Sequence, residues 1–286
     1  MMRWWWSSPC RLSPSSRQNR EDGSRLRWWE SRPRGKRRGR MQVIDAHAHL
    51  GSCRVFDLEV RAEELLGAMD KHKIDAAVVM PFPGAPDPIR VHNEIADLAQ
   101  KQPGRIYGMV NLNPHCDRDE YESEVRRCVE GLGFVGLKIH TVGHAINPLS
   151  ADASKVFELA RELEIPVMVH SGPGIPFALP SHCLPRAQEF PEVSVIIAHA
   201  GFTILTGEAF AVAKASPNIY LESSWLFADD LKWLISALGV ERVMMGTDLP
   251  RNVGAMLAIC NSAGLTEEEK RLYLGGTALG VFNIQG

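Results

Sequence analysis

The sequence of 286 residues lacks any apolar run that approaches the roughly 18 residues of a membrane-spanning helix. Its six cysteines are scattered without a C-x-x-C pair, which argues against a zinc ribbon and against a disulfide framework in so long a chain. These absences favour a globular protein of a reducing compartment with mostly buried thiols. We therefore expect a cytoplasmic protein with no membrane partner.

Acidic residues are scarce in the first forty positions and in excess afterwards. Residues 1–40 contain 12 Lys and Arg against 3 Asp and Glu, whereas residues 41–286 contain 20 against 31. The larger part of the chain is therefore acidic, which argues against nucleic acid as a partner.

The segment 1–40 also holds five of the seven tryptophans and lacks the apolar stretch of a secretory signal. We interpret it as a disordered basic extension, translated from upstream of the true start, because Met41 stands directly before the first strand. A basic arm for nucleic acid or a membrane surface is the alternative. One domain is expected over residues 41–286.

From Met41 onwards, apolar β-branched runs alternate with helical periods, and the runs begin 24 to 32 residues apart. The predicted strands are Val43–His49, Ile74–Met80, Ile106–Leu112, Phe134–His140, Pro166–His170, Val193–His199, Asn218–Glu222 and Arg242–Asp248. Eight βα units in 246 residues predict a (β/α)8 TIM barrel. An open doubly wound sheet is less favoured, since no G-x-G-x-x-G turn follows the first strand.

The first predicted strand ends in the pattern Asp45-Ala46-His47-Ala48-His49. Because side chains alternate along a strand, Asp45, His47 and His49 are expected on one face. A His-x-His pair is a weak signal by itself. It gains weight here because four later strands also end in residues that bind metals or move protons.

Those later residues are Lys138, His140, His170, His199 and Asp248. In a TIM barrel the carboxyl ends of the strands meet at one face, where catalytic groups lie. Several imidazoles and a carboxylate suit a divalent transition metal, with zinc as the expected ion and manganese or iron as alternatives. Such a metal lowers the pKa of bound water, and Asp248 could accept the proton of that water. By contrast, His72 and His92 fall on predicted helices and are expected at the surface.

In order and spacing, these motifs resemble the amidohydrolase superfamily, and within it the amidohydrolase-related (amidohydrolase 2) family of metal-dependent TIM-barrel hydrolases. The resemblance extends from Gln42 to the C-terminus, although Thr277 stands where that family usually has Asn. It implies one metal, with His199 as the acid or base and Asp248 as both ligand and catalytic group. The implied metal ligands are His47, His49, His170 and Asp248.

Three further residues are candidates for binding substrate. Lys138, which the resemblance places on the fourth strand, is expected near Asp45 or the substrate, or else in a buried ion pair. His140 shares its strand end, and Arg251 follows Asp248 as a candidate anchor for a substrate carboxylate.

The function expected from this pattern is a metal-dependent hydrolase acting on an amide, lactone or ester bond of a small molecule. A non-oxidative, metal-dependent decarboxylase of an aromatic or enol carboxylic acid is the alternative, because relatives with the same ligands cleave carboxylates. A barrel that keeps the metal only for structure is a third, less favoured hypothesis. The oligomeric state stays open, although homodimers are the commonest soluble oligomers.

Overall fold

The computed structural model describes residues 41–284, and the extension predicted at 1–40 lies outside the described residues. Eight strands overlap the eight predicted ones, and a short additional strand, β2, forms a hairpin with β1. The strands are β1 (Ile44–Cys53), β2 (Leu58–Val60), β3 (Ala76–Pro81), β4 (Ile106–Gly108), β5 (Leu137–Ile139), β6 (Val167–His170), β7 (Val195–Ala198), β8 (Ile219–Glu222) and β9 (Val243–Met244).

All strands except β2 run parallel and form a ring. Strands β1, β3 and β4 pair in one sheet, and β5 to β9 pair in a second. Val110 pairs with Leu137 at one seam between the sheets, and Ala48 pairs with Asp248 at the other. At this second seam, the Asp248 N–H donates to the His47 carbonyl at 2.7 Å. The prediction of a (β/α)8 TIM barrel is confirmed.

Helices connect the strands and cover the outside of the ring, except that the last of them contributes Ala278 to an apolar cluster inside it. They are α1 (Ala62–His72), α2 (Pro88–Lys101), α3 (Arg118–Arg126), α4 (Ala151–Glu162), α5 (Cys183–Glu189), α6 (Thr206–Ala215), α7 (Ala228–Leu238), α8 (Val253–Ser262), α9 (Glu267–Arg271) and α10 (Thr277–Val281). Side chains cap the amino ends of two of these helices: the Asp87 carboxylate caps α2 ahead of Pro88, and the Ser150 hydroxyl caps α4. Within residues 41–284, no helix is long and apolar enough to cross a membrane.

Two apolar clusters fill the fold on the two sides of the strands. One lies inside the ring, because residues from six strands or their direct extensions pack together there. These include Ile44, Val78, Met109, Met168, Ile196 and Met244. The other packs the alternate strand residues against the helices. Above the inner cluster, the next inward positions at the carboxyl ends of the strands are available for polar groups.

The first strand departs from the predicted alternation. A β-bulge follows Asp45: Asp45 and Ala48 of β1 pair with Ala77 and Val79 of β3, so β1 has one extra residue in this interval. Ile44 and Ala46 belong to the inner cluster, so Asp45 between them points to the other side of the strand. The prediction that Asp45 shares a face with His47 and His49 is therefore wrong.

We predict that Gly108→Ala destabilises the fold at the seam between β4 and β5. A Cβ at Gly108 would overlap the buried ring of Phe134, and relieving such overpacking costs about 1–3 kcal/mol. Urea unfolding monitored by circular dichroism measures the change. Gly67→Ala in α1 is the matched control: its Cβ would meet no atom within 4 Å, so about 0.5–1 kcal/mol of stabilisation is expected. Equal effects of the two substitutions would contradict this account of the packing.

Candidate metal centre

Three ligand-type side chains meet where the segment after β9 closes against β1. The Nε2 atoms of His47 and His49 lie 3.2 Å apart. Asp248 Oδ1 lies 3.5 Å from His47 Nε2 and 3.3 Å from His49 Nε2. Both histidines are buried, so water has little access to these three atoms.

Hydrogen bonds on the far sides of the two rings show where their protons lie. His47 Nδ1 is 2.8 Å from a Glu222 carboxylate oxygen, and His49 Nδ1 is 3.0 Å from the Pro81 carbonyl. A carbonyl or carboxylate oxygen can only accept, so each Nδ1 carries the ring proton. The two Nε2 lone pairs therefore face each other and Asp248.

Three acceptors at such distances repel one another unless a cation lies beside them, and the Lys138 ammonium, 3.1 Å from His47 Nε2, is one such cation; a divalent metal ion among the three atoms would be another. Two neutral imidazoles and a carboxylate are ligands that zinc and manganese accept, and ligating histidines usually donate their other N–H to an oxygen. The residues at this position therefore fit a divalent metal.

Lys138 is the nearest cationic side chain to these atoms in the described part of the chain. Its Nζ is fully buried and lies 3.1 Å from His47 Nε2. Burial lowers the pKa of Lys138 to about 8, although Asp248 and Glu222 oppose this change. The expected pairing with Asp45 is wrong, because the Asp45 carboxylate instead accepts hydrogen bonds from Thr247.

The other histidines at the strand ends are adjacent to this group. His170 Nδ1 lies 3.1 Å from His199 Nε2, and the His140 ring stacks on that of His170 with centroids 4.1 Å apart. Ligand atoms of His47, His199 and Asp248 all lie within 4.8 Å of one another. The predicted ligand His170 thus borders the group through His199.

Burial keeps most of these imidazoles neutral. It lowers the pKa of His47 well below its usual value, with the charge of Lys138 adding to the effect. It also lowers the pKa of His170 and His140 well below the usual range, and that of His199 to about 3. Neutral imidazoles are the form that binds a metal.

Asp248 is fixed by an aromatic partner that the sequence did not single out as part of the site. The Trp225 Nε1–H donates to Asp248 Oδ2 at 2.9 Å, which leaves Oδ1 facing the histidines. Phe202 stacks on the Trp225 ring with centroids 5.6 Å apart. Burial alone would raise the pKa of Asp248, but the imidazoles of His49, His47 and His199 hold it well below its usual value.

Backbone strain accompanies this arrangement. Asp248 and Trp225 have φ of +65° and +69°, and His199 has φ of +64°. Residues other than glycine seldom adopt this left-handed conformation, and they do so mainly where the surrounding structure holds them. Arg251 lies just beyond, exposed in a 3-10 turn over Pro250–Asn252.

Glu222 is the main residue that sequence reasoning missed. It ends β8 and is fully buried, and its carboxylate contacts His47, the His199 backbone and Ser224. Burial raises its pKa, with His199 and backbone N–H groups acting in the opposite direction. The sequence pattern could have revealed Glu222 as a candidate site residue, since it ends a predicted strand just as His170 and Asp248 do.

A second cluster, formed by His92, Glu124 and Cys128, also brings ligand-type atoms together. Here the Asn111 N–H donates to His92 Nε2 at 3.3 Å, so the ring proton lies on Nδ1 and is donated to Glu124 at 2.7 Å. Arg127 binds the same carboxylate through two nitrogens. Neither His92 nitrogen offers a lone pair, so this cluster is a hydrogen-bonded ion pair. The expectation that His92 lies at the surface is wrong, because it is fully buried.

Comparison with known proteins places this geometry in a family. The amidohydrolase family model matches residues 44–284. The 2-amino-3-carboxymuconate-6-semialdehyde decarboxylase of Dictyostelium discoideum is 24% identical over 231 residues, which are 66% of this chain and 64% of that protein. This chain therefore aligns with less than two thirds of that relative's length.

Solved structures show the same fold at low sequence identity. The 5-carboxyvanillate decarboxylase from Sphingomonas paucimobilis has a TM-score of 0.67 at 16% identity, over 86% of this chain and all of that one. A dihydroxybenzoic acid decarboxylase from a Polaromonas species, with bound manganese and the inhibitor 2-nitroresorcinol, has a TM-score of 0.67 at 17% identity. That match covers 85% of this chain and 97% of the other.

These comparisons correct the expected activity. The similar proteins described above are decarboxylases, which is the activity that the sequence left as the alternative. The expectation of a hydrolase is therefore wrong. The ligand pattern did not reveal this, since the sequence led to the same expected metal ligands for both activities.

We predict about one divalent metal per chain in protein purified without chelator, and its loss or at least tenfold weaker binding in Asp248→Asn and His49→Ala. The first change removes the negative charge between the two lone pairs, and the second removes one lone pair. Elemental analysis and competition with a chelator measure both quantities.

Glu124→Gln is the control, because it alters the second cluster and should leave the metal content unchanged. Metal retained in Asp248→Asn would contradict the assignment of the centre. Two metals per chain would contradict a single site and would bring Lys138 into the ligand set.

Proposed function

The chain belongs to the amidohydrolase family, and from this premise we propose that it catalyses the metal-dependent, non-oxidative decarboxylation of a small carboxylic acid. The observation that carries the proposal is the similarity over 231 residues to 2-amino-3-carboxymuconate-6-semialdehyde decarboxylase. The fold shared with 5-carboxyvanillate and dihydroxybenzoic acid decarboxylases supports it.

In this proposal one divalent metal is held by His47, His49, His170 and Asp248. When bound, the metal would orient the substrate carboxylate and stabilise negative charge that develops as carbon dioxide leaves. Zinc stays our expectation for the ion, and the manganese in a structure of similar fold makes manganese the first alternative to test.

The protein's own task is to deliver a proton. When the bond to the carboxylate carbon breaks, its electron pair stays on the neighbouring carbon, carbon dioxide leaves, and that carbon takes one proton. We assign the proton transfer to His199, whose Nε2 accepts from His170 Nδ1 in the free protein and must first take up a proton before it can pass one to the carbon. The Nδ1 atom of this ring is engaged by the Ser224 hydroxyl at 2.7 Å, so Nε2 is the nitrogen on the side of the metal centre.

Stacked aromatic rings beside the centre are the feature from which we infer a flat, conjugated acid as substrate. Phe82 stacks on His49 with centroids 4.6 Å apart, and Phe202 stacks on Trp225. Aromatic faces pack well against planar π systems. Such a system also accommodates the electron pair that decarboxylation leaves behind. Lys138 and His140 at the strand ends, with Arg251 at the rim, are the groups we propose for binding the substrate.

We predict that the manganese- or zinc-loaded protein releases carbon dioxide from at least one acid in a panel of dihydroxybenzoates, 5-carboxyvanillate and 2-amino-3-carboxymuconate-6-semialdehyde. Labelled carbon dioxide from a carboxyl-¹³C substrate measures the reaction. In heavy water, the product should carry one deuterium at the carbon that lost the carboxylate.

His199→Gln should lower kcat by about 10²–10⁴-fold, because it removes the proton-transferring group. His72→Gln on α1 is the matched control, since His72 belongs to none of the histidine clusters described above. Unchanged kcat in His199→Gln would contradict its role. Failure of the metal-loaded protein to decarboxylate any acid of the panel would count against the proposed activity.

A further inference from the structure

We propose that Glu222 is a positioning residue that determines which nitrogen carries the proton in His47, His199 and His170. The inference rests on the metal centre of the proposed function and extends it to a residue outside the predicted ligand set. Glu222 touches neither the metal position nor a substrate in this assignment, and it acts only through the imidazoles.

Every group around the Glu222 carboxylate is a donor. One oxygen, Oε2, accepts from His47 Nδ1 at 2.8 Å, from the His199 backbone N–H at 3.2 Å and from the Ser224 hydroxyl at 2.9 Å. The other oxygen accepts from the Ser224 backbone N–H at 2.5 Å. An ionised carboxylate only accepts, so it fixes the direction of all four hydrogen bonds.

The first consequence concerns His47 directly. Its Nδ1 must donate to Glu222, so Nε2 keeps its lone pair toward His49 and Asp248. A carboxylate behind a metal-binding histidine also holds the ring orientation and increases the basicity of the ligand nitrogen.

The second consequence passes through Ser224 to two more histidines. Because the Ser224 hydroxyl donates to Glu222, its oxygen accepts from His199 Nδ1, 2.7 Å away. His199 Nε2 is then unprotonated and accepts from His170 Nδ1 at 3.1 Å. His170 is left with a lone pair on Nε2, which is the form it needs to bind a metal.

The reverse arrangement shows why the carboxylate is required. If the Ser224 hydroxyl donated to His199 instead, the proton of His199 would move to Nε2 and would point at His170 Nδ1. His170 would then carry its own proton on Nε2 and could not act as a ligand through that atom. The Glu222 carboxylate, the acceptor at the end of this series of hydrogen bonds, therefore determines which nitrogen is protonated in both His199 and His170.

The lack of a side chain at Gly246 leaves space for the Glu222 carboxyl group. A Cβ on Gly246, in the segment after β9, would overlap the Glu222 carboxyl group. Glu222 also holds the His199 backbone N–H at a residue with φ of +64°, and so helps to fix the turn that aims the His199 ring. Both features tie the position of the carboxylate to the metal centre.

The test compares Glu222→Gln with Glu124→Gln in full-length protein. Glutamine has nearly the same size as glutamate. Its side-chain NH₂ group is a donor, however, so it must lie against donors that a carboxylate oxygen would accept from. Glu124 is a matched control, because it is a buried carboxylate that accepts from His92 Nδ1 at 2.7 Å, away from the metal centre. Manganese affinity is measured by titration, and the ring tautomers are read from ¹⁵N shifts of labelled histidine in zinc-loaded protein.

We expect Glu222→Gln to bind manganese about 10–100-fold more weakly and to change the tautomer signals of His47, His199 and His170. Glu124→Gln should change only the His92 signals. Should Glu222→Gln fail to fold, Ser224→Ala removes the hydroxyl that links Glu222 to His199. It should alter the signals of His199 and His170 and leave those of His47 unchanged.

Wild-type affinity and wild-type tautomers in Glu222→Gln would overturn the inference, as would altered His47 signals in Ser224→Ala. These measurements need no substrate. Weakened manganese binding in Glu222→Gln together with no decarboxylation by the wild type would therefore support the positioning role and count against the proposed function alone.

Discussion

The closure of the barrel between β1 and the segment after β9 is the constraint on which the metal centre depends. The His47 carbonyl accepts from the Asp248 N–H at 2.7 Å, and the Asp45 carboxylate accepts from the backbone N–H and the hydroxyl of Thr247. These bonds join residues some two hundred positions apart in the sequence. Without them, the His47–His49 pair would face solvent and would lack the carboxylate that completes the donor set.

Two buried histidine–carboxylate clusters show that proximity alone does not make a metal centre. In both, a histidine Nδ1 donates to a glutamate, His47 to Glu222 and His92 to Glu124. The difference lies at the opposite nitrogen: His92 Nε2 accepts a backbone N–H, whereas His47 Nε2 faces another histidine nitrogen, Asp248 and the Lys138 ammonium. The backbone satisfies one cluster and leaves the other dependent on a cation.

The barrel and most of the residues at its carboxyl face were predictable, because strand alternation and repeat length are local properties of the sequence. The places where prediction failed depend on contacts between distant segments. The bulge in β1 reverses Asp45, and the burial of His92 follows from its packing against Asn111 and Glu124. Glu222 shared the strand-end signal but was overlooked, since a single acidic residue gains meaning only from the donors around it.

The choice between hydrolysis and decarboxylation could not follow from the ligands, because the same metal ligands are expected for both reactions. They differ in what the protein must protonate. A hydrolase directs a base at water and an acid at a leaving heteroatom, whereas a decarboxylase brings one proton to a carbon. In this barrel, His199 has Nδ1 engaged by Ser224 and Nε2 engaged by His170, and the Phe202 ring lies against it. Proton transfer to carbon through His199, as proposed above, therefore has to use Nε2, the nitrogen that His170 engages in the free protein.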